Sequence, residues 1–177
     1  MGKILTIFRI FLAAAAAAMM LTACDATGCI GNRNSLPLAG FYSASTEKAV
    51  SVTGLSVMGL GAPGDSLLYT PAMTLSQIYM PLRSRDNVTT YVLSFTAGDA
   101  SAPDAVAVDE ITMEYTATPW FASEDCGAMY RYHIDNLEYT TRVIERVELV
   151  DPLITNYDVE TIRIYLRDDS QEKGDNR

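Results

Sequence analysis

His133 is the only histidine in the chain, so any serine-histidine-aspartate arrangement must run through it. It stands in Tyr130-Arg131-Tyr132-His133-Ile134-Asp135, an alternating run that turns it toward solvent with Arg131 and Asp135. An exposed strand histidine is therefore expected, and no residue is assigned a catalytic role. Gly54-Leu55-Ser56-Val57-Met58 lacks the second glycine of a nucleophile elbow and reads as strand. Gly59-Leu60-Gly61-Ala62-Pro63-Gly64 has the spacing G-x-G-x-x-G, but Pro63 and the strand-like Leu67-Leu68-Tyr69 leave no helix to receive a pyrophosphate. It is a turn. One histidine and a few cysteines do not supply a zinc site. Asp99, Asp104, Asp109, Glu124 and Asp125 are oxygen donors without the Asp-x-Asp-x-Asp-Gly spacing of a calcium loop, so solvated loop charge is expected and no metal or other cofactor is assigned. Ten tyrosines accompany Pro119-Trp120-Phe121, and Trp120 and Phe121, expected on a loop, are candidates for contact with a partner. For most tyrosines, packing on strands is the simpler account.

The three cysteines carry more. Lys3 and Arg9 precede an alanine-dominated apolar run from Ile10 to Leu21, the layout of an export signal. Arg9 interrupts the run before the roughly 20 apolar residues that a retained membrane span needs. Leu21-Thr22-Ala23-Cys24 follows, and it resembles the lipobox of bacterial lipoproteins, in which the cysteine is acylated and becomes the new N-terminus. Cys24 is the expected lipidation site, with the signal helix of residues 1–23 removed. Two or three acyl chains, at about 0.8 kcal/mol per buried methylene, would hold the protein on a membrane. Cys29 and Cys126 are then an even pair in an oxidising compartment, so a disulfide is expected, the alternative being two buried thiols.

The formal charge is −9, and it becomes more negative when Lys3 and Arg9 leave with the signal. Such a field disfavours nucleic acid and anionic lipid, and no Lys/Arg cluster reverses it locally. Residues 24–45, rich in Gly, Asn, Ser, Thr and Ala, read as a tether whose Cys29 and Leu36–Tyr42 portions pack on the domain. From residue 46 to 167 short alternating runs replace helical periodicity. Tyr91, Leu93 and Phe95 share one face, as do Ile111, Met113 and Tyr115, then Tyr130, Tyr132 and Ile134, then Val143, Val147 and Leu149, and finally Ile162, Ile164 and Leu166. The expected fold is an all-β antiparallel sandwich of about eight strands, preferred over a closed or partly open barrel because the strands are short. Residues 168–177 hold no apolar side chain and read as a disordered acidic tail.

Asn34-Ser35-Leu36-Pro37-Leu38, Asp65-Ser66-Leu67-Leu68-Tyr69, Met80-Pro81-Leu82, Cys126-Gly127 and Ile162-Arg163-Ile164-Tyr165, with the leader ending at Cys24, give a chain that resembles small uncharacterised lipoproteins of Bacteroides-like Gram-negative bacteria. The resemblance implies an envelope location and names no activity. It also implies that Ser66, in Asp65-Ser66-Leu67, is a candidate for O-glycosylation. With Asp25 the only acidic residue before Gly28, it implies an outer-membrane lipoprotein facing the periplasm rather than displayed outside. The expected role is a membrane-anchored structural or interaction module for an envelope protein partner. The alternative is a ligand-binding lipoprotein for a glycan or nutrient; an enzyme is not expected.

Overall fold

The structure is a computed structural model, and it describes residue 29 and residues 34–62, 67–96 and 106–168. The signal segment, Cys24, Pro63, Gly64, Ser66, Asp99, Asp104 and residues 169–177 lie outside the described residues.

Ten strands occur among the described residues, with no α-helix: β1 (Leu38–Ser43), β2 (Leu55–Gly59), β3 (Leu67–Tyr69), β4 (Gln77–Tyr79), β5 (Val88–Thr96), β6 (Val106–Ser123), β7 (Gly127–Tyr139), β8 (Ile144–Leu149), β9 (Leu153–Ile154) and β10 (Glu160–Leu166). They form a four-stranded sheet in the order β4-β1-β10-β8 and a six-stranded sheet in the order β3-β2-β5-β6-β7-β9. One sheet is strongly curled into a half-barrel, and the two sheets pack as a sandwich. Long β6 carries register shifts against β7 between Glu114 and Tyr115 and between Phe121 and Ser123, and each bulge bends the strand and steepens its twist.

The inward faces meet in one core. Phe41, Ile78, Ile162, Ile164 and Leu166 of the smaller sheet join Leu55, Val57, Leu93, Ile111, Met113 and Ile134 of the larger. Burial of each such side chain is worth about 1.5–3 kcal/mol. Buried tyrosines keep their hydroxyls satisfied, which ties the 81–83 segment to the core. Tyr91 Oη donates to the Pro81 carbonyl, while Tyr115 Oη accepts from the Arg83 N–H at 3.0 Å and lies 2.8 Å from Thr89 Oγ1. Burial pushes the Tyr91 phenol far above its ordinary pKa.

Three expectations need correction. Residues 38–43 are not tether: β1 is an interior strand, hydrogen-bonded to β4 on one side and β10 on the other. Its small Ala39 and Gly40 let both faces be covered, which suppresses the alternation that marks half-buried strands. The sheet is also not wholly antiparallel, since β1 runs parallel to β10, Phe41 opposite Ile164 and Ser43 opposite Leu166. Finally, Asp168 at the start of the assigned tail is tied down, its Oδ1 accepting from Ser43 Oγ at 2.6 Å.

Candidate functional site

The feature that gathers the residues singled out above is the far end of the β6–β7 hairpin. Its turn is built locally. Ser123 Oγ accepts the Cys126 N–H at 3.0 Å, and Gly127 takes φ +74°, a left-handed conformation that suits glycine. Nothing lies within 4 Å of a Cβ placed on Gly127, so backbone conformation and not space selects it.

Cys126 in this turn is disulfide-bonded to Cys29, with the two Cα atoms 4.6 Å apart and a sequence separation of 97. The pair expected from cysteine parity is thus formed. Buried Asn156 caps it, with Nδ2 3.5 Å from Cys126 Sγ and 3.9 Å from Cys29 Sγ. Ser35, also buried, donates to Met129 Sδ on β7 at 3.4 Å. Together these contacts lash the segment ahead of β1 to the hairpin end.

Trp120 and Phe121 lie on β6, not on a loop, and pair with Met129 and Ala128 of β7. Pairing continues the ladder past the body of the sandwich, which is why a stretch with a proline and short of clean alternation is still strand. Pro119 is opposite Tyr130 and Phe121 opposite Ala128, so these four share a face, while Trp120 and Met129 are on the other. Trp120 is half-buried. Phe121 is 63% exposed and Tyr130 40% exposed, an uncovered aromatic face on the hairpin arm, and Tyr130 departs from the inward position expected of it. Glu124 and Asp125 occupy the turn and are exposed.

His133 is exposed on β7, as its pattern implied, with Nδ1 3.0 Å from Asp135 Oδ1. Thr116 Oγ1, on the residue paired with His133, donates to Asp135 Oδ2 at 2.8 Å and not to the ring. The carboxylate is held below its ordinary pKa by the Thr116 hydrogen bond first and by His133 second. Among the described residues, no group of three His, Cys, Asp or Glu side chains is arranged to hold a metal ion.

Asp109 is not loop charge. It is fully buried on β6, and it accepts Thr140 Oγ1 at 2.7 Å and the N–H groups of Arg142, Val143 and Ile144 at 2.8, 2.7 and 2.9 Å. Burial alone would raise its pKa, but these four donors outweigh burial and hold the carboxyl below its ordinary value. Its work is to fix the β7–β8 connection.

A second cluster, absent from the sequence-level expectations, covers the outer face of the four-stranded sheet. Tyr42 Oη donates to the Glu160 carboxylate at 2.7 Å, and Arg163 Nε donates to Glu160 Oε1 at 2.9 Å. The Arg146 guanidinium lies 3.4 Å over the Tyr165 ring, whose hydroxyl donates to Glu148 at 3.0 Å. Gly40 has a steric role here, because a Cβ would overlap the Glu160 carboxylate. Burial pushes the Glu160 pKa up, but hydrogen bonds from Arg163, Tyr42 and Gln77 bring it below the usual value.

The model of DUF6452, a family of unknown function, matches residues 54–166. The chain belongs to this family. The DUF6452 match spans β2 through β10 and includes Cys126 and Asn156, while β1 and Cys29 precede it. No curated protein and no solved structure matches the chain.

Proposed function

We propose that this DUF6452 protein is an envelope lipoprotein, a β-sandwich anchored through an acylated Cys24 that serves as a structural or interaction module for an envelope partner. The observation that carries this reading is the Cys29–Cys126 bond. Of three cysteines, two are paired in a manner suited to an oxidising compartment, and the third stands at Leu21-Thr22-Ala23-Cys24 behind a basic and then apolar leader. The exposed aromatic face of the hairpin arm supports an interaction role, since uncovered apolar surface of this kind is common where proteins meet partners or membranes. The orientation that fits the weakly acidic stretch after Cys24 is toward the periplasm.

The ligand-binding alternative gains less support. Tyr42 and Tyr165 are inclined by 36° rather than coplanar, and Arg163 and Arg146 lie over their faces, the surfaces on which a sugar ring would stack.

The test is fractionation of a Gram-negative host expressing the full chain and its Cys24→Ala variant. The native chain should sediment with membranes and dissolve only with detergent. Equal partition of both chains would contradict the anchor.

A further inference from the structure

The disulfide sets where the hairpin end sits relative to the anchor. We propose that the arm of β6 and β7 from Pro119 to Tyr130 lies side-on against the surface of a zwitterionic bilayer, with Phe121 and Tyr130 in the headgroup layer. This rests on the lipoprotein reading and gives it a membrane contact beyond the acyl chains.

Three observations converge. Reach is the first. Cys24 and Cys29 are five residues apart, so even full extension holds the disulfide within about 17 Å of the acylated residue. The second is surface. Phe121 and Tyr130 share an uncovered face of the ladder beside Pro119, and aromatic side chains of this kind partition to the membrane–water boundary. Tethering converts a weak contact into an intramolecular one with a high effective concentration. Charge is the third. Exposed Glu124 and Asp125 occupy the turn itself, and they would be repelled by an anionic leaflet and stay hydrated. Hence the arm lies flat and does not insert turn-first, and the lipid is zwitterionic.

Trp120 is the only tryptophan in the chain, which makes the arm readable by fluorescence. The double variant W120F/F121W moves the single indole to the exposed face. Acylated protein purified from membranes is reconstituted in phosphatidylcholine vesicles, with and without bromine on the upper acyl chain, and Cys24 acylation is read from intact mass. Bromine should lower the indole emission by about half or more, and a Cys24→Ser chain mixed with the same vesicles should show no quenching. Wild-type Trp120, on the opposite face of the ladder, should be quenched less than the relocated indole. An unquenched indole on protein that carries the acyl mass would overturn the membrane contact alone and leave the aromatic face to a protein partner. If Cys24 carries no acyl mass, the contact and the lipoprotein reading fail together.

Discussion

At the scale of single residues, the buried carboxylate of Asp109 is the most exacting requirement in the chain. Four donors point at it, and removing the acceptor strands the Val143 and Ile144 N–H groups in the core. Each stranded group costs about 1–3 kcal/mol, so Asp109→Ala should lose roughly 3 kcal/mol or more, read as a lowered urea midpoint. The acid side follows from the same bonds. Because the folded pKa lies below the unfolded one, Asp109 contributes fully above the usual carboxylate value of about 3.9, and its contribution disappears as pH falls through the lower folded value. Asp109→Asn should flatten the fall of the urea midpoint in that acid window; an unchanged slope would assign the acid sensitivity to other groups, Glu160 among them. Gly40→Ala should destabilise the fold by displacing Glu160 from beside Arg163, whereas His133→Ala, at an exposed site, should leave the unfolding free energy within about 0.5 kcal/mol. None of the polar clusters was legible in advance. Asp109 looked like loop charge because its donors come from residues 140–144, and Tyr42 meets Glu160 across 118 positions, a relation that no local pattern encodes.

At the scale of elements, legibility followed burial on one side only. In β5 and the first half of β6, core residues alternate with outward ones, and Tyr91, Leu93, Ile111 and Met113 fell where their period put them; in β10 Ile162 and Ile164 did so too, although Thr161 and Tyr165 on its other face are also buried. Strand β8 was harder, because Val143 and Ile144 are both buried and a register shift opposite Tyr165 and Leu166 absorbs Glu145. Strand β1 was hidden by its small residues, yet it holds β4 and β10 in one sheet. A chain starting at residue 46 retains the whole family match but lacks that strand. It should show collapsed near-ultraviolet circular dichroism and fast amide exchange in β10; native-like protection there would mean that β1 is dispensable. The hairpin turn gives a further check. Cys126→Ser opens a loop of 97 positions, for which chain entropy assigns up to about 4–5 kcal/mol, and proteolysis ahead of β1 should accelerate while the sandwich core stays protected.

For the whole molecule, the two sheets and the Cys29–Cys126 crosslink, joined to the proposed Cys24 anchor, would form a single mechanical path. Force on an acylated Cys24 would reach the fold through Cys29 and enter at the β6–β7 turn, bypassing β1, because Cys29 precedes the first strand and is bonded to that turn. On the proposed lipoprotein reading, the crosslink is part of the anchor and not only a source of stability. This depends on the chemical fate of all three cysteines, which one spectrum can read. Protein extracted from membranes with detergent, alkylated without reduction and weighed intact should begin at residue 24, carry diacylglyceryl or triacyl mass, and take up no alkyl group. A chain that begins at Met1 without lipid, or one that accepts alkyl groups at Cys29 and Cys126, would contradict the account.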